Sequence, residues 1–383
     1  MLEQIECVSP CHFGLEAVLK RELKGLGINV SEVTDGRVSY SGDISIIPRA
    51  NIFLRTAERV MLKCKEFEAR TFDELYENTK AVHWEDYFPA DGRFWVAKAS
   101  SVRSKLFSPR DIQSIMKKAM VDRMMAAYHV NTLPETGASF PLRVMIKDDT
   151  VTVCLDTSGE SLHKRGYRTS VVKAPISETL ASALIMLTPW KHDRILADPF
   201  CGSGTFPIEA AMIGCNMAPG LNRSFISEDW TDLIPKKYWY QAVDEASSLV
   251  VIDHDMDIQG FDIDGDAVRT ARINAQKAGV ADLIHLQQKD VSAFSHHGRY
   301  GFMITNPPYG ERLEEKKDLP VLYKQIGEVY RRLDCWSLYL ITSYDQAEKY
   351  LGRKADKNRK IYNGMIQTRF YHYRGPAPHS RKP

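Results

Sequence analysis

Three absences narrow the chemistry of this 383-residue chain before any motif is read. Its seven cysteines, at positions 7, 11, 64, 154, 201, 215 and 335, are odd in number and include no C-x-x-C pair. That argues against a disulfide framework, and no second Cys/His pair stands at finger spacing from Cys7 and Cys11, so no metal site is expected. A reducing, cytoplasmic setting is the simplest reading. Long apolar runs are also missing, and the first residues, MLEQIECVSPCHFGLE, bring in acids early. The chain therefore reads as carrying neither a signal peptide nor a membrane anchor, and no membrane partner is expected. Charge of one sign is scarce as well: 51 Lys and Arg face 49 Asp and Glu. The balance hides local excess, because nine Lys/Arg oppose one Asp from Gly352 onward and residues 100 to 175 hold five more bases than acids. Two separated basic regions suit a nucleic-acid surface.

The chain is longer than one ordinary domain, and its 44% hydrophobic residues suffice for two cores. Its first part reads as a compact α+β module. A short strand near Gln4 to Val8 is followed by the amphipathic stretch GLEAVLKRELKGLG, and Asp35-Gly36 marks a hairpin between alternating segments. Residues 49 to 63 and 71 to 80 read as helical, and RFWVAKASSV as a strand. Ser108 and Pro109 open a helix as N-cap and first-turn proline, and PLRVMIKDDTVTVCLDTSG gives two strands around Asp148-Asp149. The character changes after Asp156. SLHKRGYRTSVVKAPISETLASALIML is a basic linker entering a helix, and from Arg194 strands alternate with helices as a doubly wound α/β domain requires. The boundary is placed near Thr157, giving domains 1–156 and 157–383.

Within the second domain the strand RILADPF runs into CGSGTFPIEAAMIG. Gly202 and Gly204 let backbone approach a ligand, and the helix starting near Thr205 aims its free N–H groups and positive end there, which favours a carboxylate. Pro207 breaks the dinucleotide pattern G-x-G-x-x-G, and no Lys-Ser/Thr follows to make a P-loop. A tight strand–helix turn would need the same glycines. In IQGFDIDGDAVRTARINAQKAG, Asp262 ends the second strand, where an acid accepts hydrogen bonds from the two ribose hydroxyls of an adenosine-containing cofactor. Asp264 reads as the cap of the next helix, with Asp266 favouring its dipole. The segment from NMAPGLNRSF to KKYWYQAVDEASSLV stretches the usual spacing and reads as a loop plus an additional helix on the sheet. Asp290, in IHLQQKDVSAF, ends a third strand on the same edge, where it could accept from an adenine amino group. The fourth strand, GFMITNPPYGER, stops at tandem proline, which has no N–H and holds the following residues extended. Near the end, Asn363-Gly364 carries a type I′ hairpin signal.

DPFCGSGT, GFDID, QKDV and TNPPYG, in this order and spacing, resemble the S-adenosylmethionine-dependent methyltransferases that act on exocyclic amino groups of bases. LHKRGYR and APISETLASAL ahead of the loop, behind a basic α+β module, resemble more closely the bacterial family that methylates guanine N2 in large-subunit ribosomal RNA and carries an N-terminal THUMP domain. The resemblance covers nearly the whole chain. It implies a C-terminal Rossmann-like class I methyltransferase domain, a mostly parallel doubly wound sheet with an antiparallel hairpin, behind a ferredoxin-like and THUMP RNA-binding module. It implies S-adenosylmethionine as cofactor and S-adenosylhomocysteine as product, held by Asp198, Phe200, Cys201, Gly202, Gly204, Thr205, Asp262, Ile263, Asp290 and Val291. In the motif Asn306-Pro307-Pro308-Tyr309 it implies that the Asn306 side-chain oxygen and the Pro307 carbonyl accept the two amino hydrogens while Tyr309 stacks on the base. The tandem prolines keep that carbonyl outward with no N–H to compete for it.

The partner expected is RNA, 23S rRNA or a precursor ribosomal particle, with the target base unpaired or flipped out. Some family members continue into a second methyltransferase domain; this chain stops at Pro383, so one modification is expected. Lys164, Arg165, Arg168 and Lys173, with Arg353, Lys354, Arg359 and Lys360, are candidates for phosphate contacts. His163 reads as polar surface rather than a base. Three alternatives stand beside this reading: adenine-N6 methylation of DNA, guanine-N2 methylation of tRNA, and a non-catalytic RNA-binding assembly factor. No helix-turn-helix pattern supports the DNA reading.

Overall fold

The computed structural model describes residues 4–168, 176–252, 255–310 and 315–377. Two compact units are formed, one from Met1–Cys11, Lys20–Leu162 and Ser224–Glu245, the other from His12–Leu19, His163–Arg223 and Ala246–Pro383. Elements in the first part of the chain are β1 (Ile5–Pro10), α1 (Glu16–Gly25), β2 (Asn29–Thr34), β3 (Arg37–Gly42), α2 (Ile46–Phe53), β4 (Met61–Glu68), α3 (Phe72–Lys80), β5 (Arg93–Val102), α4 (Pro109–Tyr128), β6 (Ser139–Lys147) and β7 (Thr150–Asp156). The seven strands form one sheet of order β2-β3-β1-β4-β7-β6-β5, in which β5 and β6 run parallel.

Local chemistry explains most of these boundaries. Asp35 and Gly36 make the two-residue link between β2 and β3. Asp148 and Asp149 link β6 to β7 with φ of 52° and 65°, the left-handed pair that a type I′ turn requires and that aspartate tolerates. The Ser108 hydroxyl accepts the Asp111 N–H ahead of α4, and Thr71 with Glu74 forms a capping box on α3. The helix expected over residues 49 to 63 ends instead at Phe53, and Met61–Glu68 is a strand. There MLKCKEFE pairs with β1 on one side and β7 on the other, and that sheet pairing overrides local helical spacing.

The residues between Gly214 and Ile258 correct a second expectation. The additional helix exists as α7 (Lys236–Ser248), yet Ser224–Glu245 belongs to the first unit rather than to the second sheet. Trp230 shows why. Its ring stacks on Phe140 at 4.9 Å, extending a run through Phe88, Phe94 and Trp84, and its indole N–H donates to the Ser139 carbonyl at 2.9 Å. Arg49 adds a two-pronged ion pair to Glu245, at 2.6 and 2.7 Å.

The second unit contains α5 (Glu178–Met186), β8 (Leu196–Asp198), α6 (Thr205–Gly214), β9 (Ile258–Asp262), α8 (Gly265–Lys277), β10 (Ile284–Gln288), β11 (Phe302–Thr305), α9 (Glu315–Arg332), β12 (Ser337–Thr342), α10 (Ala347–Leu351), β13 (Lys357–Asn363) and β14 (Ile366–Tyr373). The order is β10-β9-β8-β11-β12-β14-β13, with the first five strands parallel and β14 antiparallel to both its neighbours. Both faces are covered. Ile258, Phe302, Ile304 and Ile341 pack with residues of α5, α6 and α8, while Ala197, Phe261, Met303 and Leu340 pack with residues of α9 and α10. Burial on both sides explains the uninterrupted apolar runs FMIT and SLYLIT. The hairpin is shifted by one residue from the expected one: Asn363 pairs with Ile366, so the loop is Gly364-Met365, with φ of 60° at Gly364.

Trp230→Ala is expected to lower the stability of the first unit by about 3–5 kcal/mol, as loss of a buried tryptophan does. Urea denaturation followed through that unit checks it, and a change below about 0.5 kcal/mol would contradict the packing described.

Candidate active site

Chain order reverses at β8, with β9 on one side and β11 on the other, and in open α/β sheets ligands bind outside the carboxyl ends at such a switch. The glycine loop lies there. Gly202 and Gly204 have φ of 51° and 87°. A Cβ on Gly202 would meet no atom within 4 Å, whereas one on Gly204 would press on Ala271 at 3.0 Å. Gly202 thus leaves an open cradle, and Gly204 lets α8 pack against the loop. Gly260 in β9 serves the same end, since a Cβ there would lie 2.7 Å from Leu286 and 3.0 Å from Pro207. Buried Asn274 of α8 donates to the Ser203 carbonyl at 3.0 Å and pins the loop from beneath. Nothing in the motif spacing singles out that asparagine.

Asp262 ends β9 as expected, and both of its oxygens already work locally. Oδ2 accepts the Gly202 N–H at 2.9 Å and Oδ1 the Asp264 N–H at 3.0 Å. Burial raises its carboxyl, and the Asp264 and Gly202 N–H groups oppose the rise. Each oxygen keeps acceptor capacity for a vicinal diol. Ile263 beside it is 67% exposed, an apolar side chain left open where a flat ring could lie. Asp264 caps α8 by accepting the Asp266 N–H. Asp290 lies two residues past β10, and its Oδ1 accepts from the Ser292 N–H and hydroxyl. Val291 and Cys201 are buried, and the Cys201 N–H donates to the Phe261 carbonyl at 2.8 Å. An open glycine cradle, a paired acid and an exposed isoleucine fit an adenosine-containing cofactor.

Asp198 behaves differently from the other acids. It is 1% exposed, and its Oδ1 accepts the Thr305 hydroxyl at 2.6 Å and the Phe200 N–H at 3.1 Å. Burial pushes the carboxyl up to about 7, against the pull of those two donors. Thr305 is the last residue of β11, immediately before Asn306. A single buried carboxyl therefore ties the end of β8 to the turn Asn306-Pro307-Pro308-Tyr309. Tyr323 of α9 holds the same turn from the other side, with its hydroxyl 2.5 Å from Thr342 Oγ1 and donating to the Pro308 carbonyl at 3.4 Å. Within the turn Pro307 is buried and Pro308 exposed, and the Tyr309 hydroxyl donates to Asn306 Oδ1.

The basic linker is not a phosphate surface at its arginines. Arg165 is 2% exposed, with Nε 3.6 Å from Glu209, which also accepts from the hydroxyls of Tyr167 and Ser182. Arg168 pairs with Glu178 at 2.8 Å and donates to Thr205 Oγ1 at 2.8 Å, bracing the first residue of α6. Burying a guanidinium beside a carboxylate is tolerated because both are paired. Thr205 is itself buried, its hydroxyl accepting from Arg168. Lys173 lies outside the described residues. Among the described residues no group of three His, Cys, Asp or Glu is placed to hold a metal ion, and no helix is long and apolar enough to cross a membrane.

A mostly parallel sheet with this order, a glycine cradle after its first strand, an acid after its second and Asn-Pro-Pro-Tyr after its fourth is the framework of an S-adenosylmethionine-dependent methyltransferase. Residues 165–372 match the RMKL-like methyltransferase domain (UPF0020), residues 6–61 the RlmL ferredoxin-like domain and residues 69–156 the THUMP domain. The chain is 43% identical over its full length to "Putative RNA methyltransferase YpsC" of Bacillus subtilis (strain 168), covering 99% of that protein. It is 32% identical over 95% of its length to "Ribosomal RNA large subunit methyltransferase K/L" of Marinomonas sp. (strain MWYL1), of which it spans 52%. Two crystal structures superpose closely. "SMU.472, a putative methyltransferase complexed with SAH" gives a TM-score of 0.94 at 41% identity, over 99% of this chain and all of that one. A "predicted N6-adenine-specific DNA methylase" from Listeria monocytogenes str. 4b F2365 gives 0.93 at 47% identity, over 98% of this chain and 97% of that one. The chain belongs to the THUMP-containing, RlmL-like family of S-adenosylmethionine-dependent methyltransferases.

Because Asp198 titrates higher folded than unfolded, it contributes stability below its ordinary value of 3.8 and loses that contribution as pH rises through about 7. Asp198→Asn keeps an acceptor for Thr305 and Phe200 but cannot ionise. The variant should lose less stability than the wild type across that interval, by up to about 1.4 kcal/mol per pH unit. Parallel urea midpoints over the whole range would show that the carboxyl does not titrate as described.

Proposed function

We propose that the protein transfers the methyl group of S-adenosylmethionine to the exocyclic N2 amino group of one guanine in 23S ribosomal RNA, in the cytoplasm, as naked RNA or a precursor particle. The observation that carries this reading is the Thr305–Asp198 hydrogen bond, which fixes the Asn306-Pro307-Pro308-Tyr309 turn against the strand that opens the glycine cradle. The basic regions and the THUMP match support RNA over other polyanions, and the large-subunit relative supports ribosomal RNA. Guanine N2 rests on the motif resemblance, since the physics of Asn306 applies to either amino group. In the division of labour proposed here, residues 1–156 hold RNA and 157–383 carry out the transfer, with Ser224–Glu245 joining the first unit.

Bound S-adenosylmethionine supplies an electrophilic methyl group on a sulfonium centre. Asp262 would accept its ribose hydroxyls, Asp290 the adenine amino group, and Ile263 and Val291 would line the ring. The Gly202–Gly204 loop and the start of α6 would receive its carboxylate. Asp198, Phe200, Cys201 and Thr205 would shape the loop from within. An exocyclic amino group is a weak nucleophile because its lone pair is conjugated into the ring. Asn306 Oδ1 and the Pro307 carbonyl would accept its two hydrogens and turn that lone pair toward the methyl group, a preorganised arrangement worth most where water is excluded. Pro308 keeps the carbonyl outward. The Tyr309 hydroxyl rests on Asn306 Oδ1, so an entering amino group takes that acceptor over while the Tyr309 ring moves to stack on the base. No matched general base is needed, because the proton can leave after the nitrogen becomes cationic.

The second reading, adenine-N6 methylation of DNA, is favoured by the description of the Listeria structure alone. Purified protein, labelled S-adenosylmethionine and large-subunit rRNA separate the two. Label should appear in N2-methylguanosine, and Asn306→Ala should lower kcat by about 10²–10³-fold with S-adenosylhomocysteine affinity unchanged. Label in N6-methyladenine of DNA, with none in rRNA, would reject the guanine reading.

A further inference from the structure

We propose that the outward face of the β13–β14 hairpin, together with Phe13, seats a single-stranded RNA segment beside the target nucleotide. This deepens the RNA reading above and rests on it. The hairpin stands at the same end of the sheet as Asn306. Thr342, the last residue of β12, pairs with Arg369, and the β13–β14 ladder continues past it through Ile361–Thr368, Tyr362–Gln367 and Asn363–Ile366. Three further residues carry the tip about 10 Å beyond the carboxyl edge. Asn306 follows Thr305, which pairs with Leu340 of β12, so the hairpin edge lies three strand spacings, about 14 Å, to one side of the turn.

Alternation puts Lys360 and Tyr362 of β13 on one side with Gln367 and Arg369 of β14. Lys360 stands directly opposite Arg369, and both are exposed. Like charges in directly opposed positions destabilise a ladder, and among the described residues neither side chain has a carboxylate at ion-pair distance. Residues 357 to 374 contain no Asp or Glu at all. The Arg369 guanidinium instead donates to Asn358 Oδ1 at 2.9 Å, which leaves its charge uncompensated.

Aromatic rings accompany the cations. Lys360 Nζ lies 5.3 Å from the centroid of the Tyr362 ring, which meets Phe13 edge-on at 6.4 Å. Phe13 is 49% exposed. It is held rather than loose: His12 bridges the Tyr362 carbonyl at 3.2 Å and the Ser177 hydroxyl at 3.1 Å, and Arg359 donates to the Gly14 carbonyl at 2.9 Å. Cations without a carboxylate partner beside an exposed ring held edge-on to a half-buried one are the parts of a single-strand site, the cations meeting phosphates and the exposed ring meeting an unstacked base. A duplex offers no base faces to such rings.

The test uses the full chain and a labelled oligouridine of about twelve nucleotides, with anisotropy read across a salt series. Lys360→Gln with Arg369→Gln should reduce the slope of log K against log salt by about 1.4, the sum of two single-strand phosphate contacts, and weaken binding about ten-fold at low salt. Phe13→Ala should weaken binding about ten-fold with the slope unchanged. S-adenosylhomocysteine affinity, measured by calorimetry, should stay at the wild-type value in both variants, which shows that the fold survives. Wild-type slope and affinity in both variants would overturn the proposal, and so would a loss seen with a DNA duplex but not with the oligouridine. The probe contains no guanine, so failure of the guanine-N2 reading leaves this outcome unaffected.

Discussion

The Thr305 hydroxyl donates to a carboxyl that water does not reach, and through that bond the two working ends of the sheet become one object. Asp198 closes the strand that opens the glycine cradle, and Thr305 closes the strand that delivers Asn306. Methyl transfer in line demands that cofactor and amino acceptors keep their separation to a fraction of an ångström. A surface loop could not supply that constraint. Two neighbouring parallel strands, paired in register and linked at their carboxyl ends by a buried hydrogen bond, can. Around this bond the remaining supports fall into place: Asn274 beneath the loop, Arg168 at the first residue of α6, Tyr323 behind Pro308.

Much of this was legible in the sequence wherever one residue type has few other uses. Tandem proline after an apolar strand, glycines before a helix and acids at successive strand ends each mark a backbone event, and the structure puts Asp262, Gly202, Gly204 and Asn306 at the carboxyl edge of one sheet. What escaped reading depends on distant partners. Residues 61–68 carry a spacing open to either period and become strand because β1 and β7 flank them. Ser224–Glu245 joins the first unit because Trp230 completes an aromatic stack built from residues about ninety to 146 positions earlier in the chain. Asp198 looks like any acid in a loop motif until Thr305 is seen beside it. The Tyr309–Asn306 contact is likewise invisible in a tetrapeptide whose order says nothing of side-chain direction.

Positive charge divides along the same line. In RGYR, buried Arg165 pairs with Glu209 and half-buried Arg168 with Glu178, where they brace the glycine loop at a desolvation cost. In the terminal hairpin Lys360 and Arg369 face each other with no acid at hand. Composition counts all four alike. Burial decides that the first pair serves the architecture, and the absence of carboxylates leaves the second pair available to a polyanion.

The base that loses its methyl group when the protein is removed identifies the substrate. Mass spectrometry of nucleosides from purified large-subunit rRNA, tRNA and genomic DNA, compared between a parent strain and a deletion of this gene, finds that base directly. Guanine-N2 transfer to ribosomal RNA requires the loss of one N2-methylguanosine per large-subunit rRNA, with tRNA and DNA unchanged. Unchanged rRNA together with loss of N6-methyladenine from DNA would contradict it.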